Sequence, residues 1–166
     1  MLSEGEHHLP PVGKEILLMT TTLLTPDEIR DKLAHCYGSE GYRNWSMLFR
    51  NHYATEGAIL LAETCGAYWL LDAIASHHAD VRRRGGHRLM EFQCWKLKML
   101  PASGDKPRRA MLRCYDGDSD KAVVTQRIAY TDFPLDEGAK LYVKPCDVNA
   151  EGTAYTKWCV MLPSEY

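Results

Sequence analysis

Two periods of apolar and polar residues divide the chain into a helical first half and a stranded second half. A first helix is predicted to begin after Thr25, which can form a capping box with Glu28, and to end at Gly38. Residues 47–49 are expected to be extended. Thr55 then has the position and chemistry to cap a second helix.

The segment 66–76 is predicted to be the buried centre of the domain. Read as a helix, it is apolar nearly all the way round, and its one charge, Asp72, lies one turn beyond Trp69 on the same face. An unpaired buried carboxylate costs several kcal/mol. We therefore expect Asp72 to be largely buried and hydrogen-bonded to an indole or a backbone donor. This helix is expected to end over residues 77–80, and residues 82–86 are expected to form a loop.

From about residue 95 the apolar period becomes two, which predicts half-buried strands. Trp95, Leu97 and Met99 should face the helices, and Lys96 and Lys98 should face outward. Further strands are predicted at 110–114, 122–130, 141–143 and 158–162, with a hairpin loop at 101–107, a turn at 116–118, and Tyr166 docked on the domain. This order predicts an α+β fold of two layers, with N-terminal helices packed on an antiparallel sheet of about five strands.

The composition is that of an ordinary globular chain, with 45% hydrophobic and 25% charged residues. Its six cysteines are scattered without a C-x-x-C pair, which favours free thiols in a reducing cytoplasm. No run of about 18 apolar residues is present, so no membrane span is expected.

The first eighteen residues are expected to lie outside the folded domain. Lys14-Glu15 can be encoded by a purine-rich stretch like a bacterial ribosome-binding sequence, and three codons separate it from Met19. Residues 1–18 are therefore either a translated leader or an ordinary flexible arm. A single α+β domain is assigned to residues 19–166.

Charge is unevenly distributed along the chain. Residues 81–113 carry ten cations and two anions, a net charge of +8, so the remainder carries −10 to reach the total of −2. The cations and one aromatic predicted to share the open sheet face are Lys96, Lys98, Arg113, Tyr115 and Arg127. Such a face can attract phosphates and offer a stacking surface, although it can also be simply solvated. The overall acidity argues against strong non-specific nucleic-acid binding, and an acidic protein surface would serve as partner equally well.

Signals for metal, cofactor or nucleophile chemistry are weak. The candidate ligands are His77, His78 and His87, which lack ligand spacing, and Asp116, Asp118 and Asp120, whose loop lacks the glycine and glutamate of a calcium site. Cys65 precedes a glycine at a possible helix start, where a thiolate is stabilised, but its helical face favours a core thiol. We predict neither a metal nor a cofactor.

Residues 130–134 combine turn formers with two aromatics. The structural interpretation is that Asp132 or Thr131 hydrogen-bonds the backbone to end the third predicted strand, with Phe133 packed inward. Trp69, Asp72, Asp132 and Tyr166 are accordingly assigned structural roles.

Four ordered blocks resemble a family of small bacterial, plasmid and phage proteins that is catalogued only as a domain of unknown function. The blocks are GAYWLLD at 66–72, EFQCWKL at 91–97, YTDFPL at 130–135 and LPSEY at 162–166. The resemblance covers residues 38–166 and implies one intact domain without assigning any catalytic residue. The chain departs from the family at Asn44, where relatives tend to have histidine after Tyr-Arg; if that histidine were a ligand or a base, its absence here would argue against chemistry.

These observations lead to hypotheses of different classes. The first is a non-enzymatic binding protein from accessory or mobile DNA that covers an acidic partner protein, with an anti-CRISPR inhibitor of host defence as a special case. The second is a small hydrolase or nuclease with an unrecognised site that uses Asp72, Asp132 or a Cys/His pair. The third is a nucleic-acid-binding accessory protein that uses the basic sheet face.

Overall fold

A seven-stranded mixed sheet with helices on one face forms the described part of the chain. The structure is a computed structural model that describes residues 24–101, 104, 107–116 and 120–166. The helices are α1 (Pro26–Ala34), α2 (Glu56–Thr64), α3 (Tyr68–Ser76) and α4 (His78–Glu91), followed at the C-terminus by a 3₁₀ turn (Pro163–Glu165). The strands are β1 (Tyr42–Arg43), β2 (His52–Thr55), β3 (Gln93–Met99), β4 (Ala110–Tyr115), β5 (Val124–Ile128), β6 (Ala139–Val148) and β7 (Tyr155–Met161). The expected leader at 1–18, the start at Met19 and the centre of the turn at 116–118 lie outside the described residues.

The α+β class is confirmed, but the predicted sheet of about five antiparallel strands is wrong in size and direction. The strand order is β1-β2-β7-β6-β3-β4-β5, and β2 pairs with β7 in parallel while the other neighbours are antiparallel. The two unpredicted strands, β1 and β2, have two and four residues. Strands that short cannot show an alternating period, so only their pairing with a distant segment makes them strands.

Two local predictions are also wrong. Residues 82–86, expected as a loop, belong to α4, whose helix kinks at Gly86 (φ 61°, ψ −162°). Val81 and Leu89 are buried on one side of α4, so tertiary packing offsets the low propensity of the two adjacent glycines. Residues 47–49 are expected to be extended, but residues 47 and 48 form a turn and residue 49 follows it without regular structure.

The core lies between the inner sheet face and the helices, as the alternation in β3 predicted. Trp95 and Leu97 are buried while Lys96 and Lys98 are exposed. From the helices, the most deeply buried apolar side chains that join this core include Leu70, Leu71 and Ile74 of α3. The opposite face of the sheet is therefore free to carry charged and aromatic side chains.

Helices α1 and α2 begin at the predicted caps, and the start of α2 also receives a carboxylate from the C-terminal residues. Thr25 and Glu28 form the capping box of α1, and the Thr55 hydroxyl accepts a hydrogen bond from the Ala58 N–H of α2. The Glu165 carboxylate accepts hydrogen bonds from Gly57 N–H at 2.9 Å, from Leu162 N–H at 3.0 Å and from the Thr55 hydroxyl. An anion at this position also compensates the partial positive charge of the α2 N-terminus.

Gly57 leaves room for this contact. A Cβ at residue 57 would lie 2.7 Å from Cδ of Glu165, so the carboxylate at the end of this flexible side chain would have to shift from its present position. The C-terminal block found in the sequence therefore locks the last residues of the chain onto the start of α2.

We expect Glu165→Ala to lower the free energy of unfolding by roughly 1–2 kcal/mol, because it leaves two backbone donors and one hydroxyl without their acceptor. This corresponds to a fall of about 2–4 °C in melting temperature per kcal/mol for a chain of this size. The fall in melting temperature should be measured by calorimetry. The control is Glu151→Ala, which removes an exposed glutamate. Equal melting temperatures for both variants would contradict the capping role.

The predicted partner of Asp72 is found, although the residue is half-buried and not largely buried. Its Oδ1 accepts a hydrogen bond of 2.9 Å from the Trp45 indole N–H. Trp45 belongs to a turn that Asn44 organises, since the Asn44 amide donates to the carbonyls of Phe49 and His52 at 2.9 and 2.7 Å. Asp72 thus joins the segment between β1 and β2 to the helix layer.

We expect Asp72→Leu to reduce stability by about 1–2 kcal/mol, because a charge-assisted hydrogen bond is lost while the Trp45 indole N–H stays partly buried. A double-mutant cycle with Trp45→Phe, measured by urea unfolding, isolates the pair from other effects. Additive effects of the two substitutions would show that the hydrogen bond contributes nothing to stability.

Candidate functional site

The outer sheet face carries a row of three cations at directly opposed positions. In the registers of β4, β3 and β6, Arg113 lies opposite Lys96, and Lys96 lies opposite Lys140. Lys96 and Lys140 are exposed, and Arg113 is half-buried. Among the described residues no carboxylate forms an ion pair with these three. Like charges at opposed positions destabilise a sheet, so this row is an unfavourable feature of the isolated fold.

Two further cations extend the row to the edge of the sheet. Arg127 of β5 lies opposite Met111 of β4, which lies opposite Lys98 of β3. Because the pleat repeats every two residues, these positions share the face of Lys96 and Arg113. The structure therefore brings together all four cations of the predicted site. We call the set Lys96, Lys98, Arg113, Arg127 and Lys140, together with Tyr115, Tyr142 and Tyr166, the basic face.

Tyrosine rings lie beside the lysines across this face. The lysine Nζ atoms lie over ring centroids in four pairs, Lys96 with Tyr115 at 4.8 Å, Lys144 with Tyr166 at 4.9 Å, Lys140 with Tyr142 at 5.0 Å and Lys157 with Tyr53 at 5.8 Å. These are cation–π distances. The face therefore alternates positive charge with aromatic surface over most of its width.

The C-terminal tyrosine is docked on the same face. The Tyr166 ring contacts Phe92 and Tyr142 with centroid distances of 5.4 and 5.6 Å, in edge-to-face geometry, and yet its side chain is 69% exposed. Tyr115 and Tyr142 are half-buried and flank Cys94, which lies opposite both in the register. Tyr166 thus combines a fixed position with an accessible ring.

Sequence reasoning missed the contribution of β6. Lys140, Tyr142 and Lys144 alternate with the buried Leu141 and Val143, so the period-two signal was present in the sequence. The alternation alone could not place these residues beside Lys96, because the order of strands in the sheet depends on tertiary pairing.

A second candidate cluster lies between the sheet and α4. The rings of His52, His78 and Trp158 are in mutual contact, with centroid distances of 5.0 Å between the histidines and 4.1 Å between His78 and Trp158. His52 is 8% exposed, and burial lowers its pKa to about 4. Burial, followed by the charge of Arg82, also lowers the pKa of His78. Both imidazoles are therefore held neutral, as packing groups of an aromatic core.

The other candidate groups from the sequence are engaged in structure. Cys65 is buried, and burial raises its thiol pKa to about 11, which is the opposite of an activated thiolate. The Thr131 hydroxyl accepts a hydrogen bond of 3.1 Å from the N–H of the fully buried Phe133, so Thr131 makes the turn contact and Asp132 is exposed. Trp69 is half-buried against the core.

The residues that the structure describes contain neither a metal-ligand cluster nor a membrane-spanning helix. In that part of the chain no group of three or more His, Cys, Asp or Glu side chains is placed to hold a metal ion. No helix there is both long and apolar enough to cross a membrane. All six cysteines are free, four of them buried and two half-buried.

The chain belongs to the family of unknown function DUF6876, whose match covers residues 27–166. No curated protein and no solved structure matches the chain significantly. The match confirms membership of a family of unknown function and adds no activity, so function has to be inferred from the geometry of this chain.

We expect stability to fall as the pH drops from about 6.5 towards 4, because the unfolded state binds a proton at His52 before the folded state does. Between pH 7 and pH 5 this amounts to roughly 2 kcal/mol for His52, with His78 acting in the same direction. Urea unfolding at both pH values should show a smaller difference for His52→Phe than for the parent. An unchanged difference in His52→Phe would contradict the assignment.

Proposed function

We propose that this chain is a non-enzymatic binding protein that docks a polyanionic partner on its basic face. The observation that carries the proposal is the row of Arg113, Lys96 and Lys140 at opposed positions of three adjacent strands. The row costs stability in the free protein, and an anion laid across it would remove the repulsion. A partner with spaced negative charges fits a row that spans three strands.

The distribution of charge supports docking in one orientation. The chain as a whole carries −2, so the cations of the basic face are balanced by acidic residues elsewhere. On the outer face, Asp147 is already paired with Lys157 at 2.7 Å, and Glu165 is turned to the start of α2. The basic face therefore concentrates positive charge on a chain that is slightly acidic overall, which favours steered association of a polyanion with this face.

The hydrolase or nuclease alternative has less support from the geometry. The Asp72 carboxylate is held by the Trp45 indole, Asp132 is exposed at a turn, and the Cys65 thiol is buried with a raised pKa. None of these arrangements pairs a nucleophile with a base. The acidic protein partner, the origin in mobile DNA, the cytoplasmic location and the anti-CRISPR special case stay predictions from the sequence.

Charge reversal at two opposed positions tests the proposal. We expect Lys96→Glu with Arg113→Glu to change stability by less than about 1 kcal/mol, because surface charge pairs contribute little to folding. The same variant should lose retention on immobilised heparin, whereas the parent should be retained and should elute earlier as salt increases.

Arg50→Glu with Arg84→Glu is the matched control, since it reverses two exposed cations of the turn before β2 and of α4. Its net charge equals that of the first variant, and we expect it to be retained like the parent. Equal loss of retention in both variants would show that net charge alone decides binding, and the basic face would then be an ordinary solvated surface.

A further inference from the structure

We infer that the polyanion is a single-stranded nucleic acid whose bases stack on the tyrosines of the basic face. This inference rests on the proposed function and adds the class of partner. It follows from the pairing of Tyr115, Tyr142 and Tyr166 with lysines, which charge attraction alone does not require.

The pairs match the two chemical parts of a nucleotide. Every nucleotide carries a flat base and a phosphate one sugar apart, and each pair places an ammonium group 4.8–5.0 Å from an aromatic centroid. Single-strand binding proteins combine positive grooves with aromatic rings on which successive bases stack. The basic face offers positive charge and aromatic rings in three successive lysine–tyrosine pairs.

The spacing of the pairs fits a strand that runs across the sheet. Tyr115 lies on β4 and Tyr142 on β6, with β3 between them, so their backbones are about 10 Å apart at the usual distance between strands. Tyr166 continues the series beyond Tyr142, in direct ring contact with it. A path from Tyr115 to Tyr166 also passes Lys96 and Lys140.

Accessibility differs among the three rings and identifies which of them to test. Tyr166 is 69% exposed, whereas Tyr142 is half-buried and packed between Phe92 and Tyr166. Tyr115 is half-buried, and its ring contact is with Lys96. Tyr115 and Tyr166 are therefore the rings that can accept a base with the least disturbance of the fold.

Double-stranded DNA and an acidic protein fit the basic face less well. The bases of a duplex are stacked on one another, so they would leave the tyrosines unused, and duplex grooves are usually entered by a helix or a two-stranded ribbon. Protein–protein interfaces are depleted in lysine, whereas Lys96, Lys98 and Lys140 all lie on this face. Nucleic-acid interfaces are much more positively charged.

Fluorescence polarisation with labelled oligonucleotides tests the inference. The probes are single-stranded DNA and RNA of about ten nucleotides, within the usual range of single-strand site sizes, and a duplex of the same sequence. Poly-glutamate is the competitor, because it carries negative charge without bases. We expect the parent to bind a single strand at least about tenfold more tightly than the duplex, with poly-glutamate a weak competitor.

Removing the rings while keeping the charge separates stacking from electrostatics. We expect Tyr115→Leu with Tyr166→Leu to weaken single-strand binding about tenfold or more, with heparin retention unchanged. Tyr115→Phe with Tyr166→Phe keeps both rings and should bind like the parent. Tyr68→Leu, at a partly exposed tyrosine of α3 in the helix layer, is the matched control. Each single Leu variant should also be measured, in case the double variant folds poorly.

The outcomes distinguish this inference from the proposed function. Leucine variants that bind the single strand like the parent would overturn stacking on the tyrosines, and poly-glutamate that competes as well as an unlabelled oligonucleotide would overturn the nucleic-acid assignment. The proposed function would still stand if Lys96→Glu with Arg113→Glu lost retention on heparin. A parent that binds neither heparin nor any oligonucleotide would overturn both.

Discussion

The insertion of the last strand into the middle of the sheet is the constraint on which the rest of the structure depends. β7 pairs with β2 on one side and with β6 on the other, so the sheet is continuous only after the C-terminal segment is in place. Glu165, four residues beyond β7, then accepts hydrogen bonds from the start of α2. The N-terminal helical unit and the C-terminal hairpin are thereby fixed to one another, and the last residues of this chain have a structural role.

The same insertion gives the two sheet faces different chemistry. One face is closed by the helices and contains the large apolar side chains, together with a neutral histidine pair that burial keeps from charging. The other collects lysines, arginines and tyrosines from β3, β4, β5 and β6. Like charges at opposed positions destabilise the isolated sheet, and this cost is the observation that supports the proposed docking of a polyanion there.

The distribution of tyrosine decides which partner class is favoured. A solvated basic surface needs lysines alone, whereas here lysine Nζ atoms lie over tyrosine rings in four pairs. Each ring holds its lysine in place and also offers a flat apolar surface beside it. Charge and stacking surface at this spacing suit a flexible chain of nucleotides.

The sequence by itself determined the local features of this protein. The caps at Thr25 and Thr55 and the half-exposed alternation of β3 depend on chemistry within a few residues. Only the tertiary structure decided the strand order, the two short strands near the N-terminus, the helical state of residues 82–86 and the indole partner of Asp72. It also decided that Lys140 completes the cation row with Lys96 and Arg113, because neighbours across a sheet are set by pairing energies between distant segments and not by the residues adjacent in sequence.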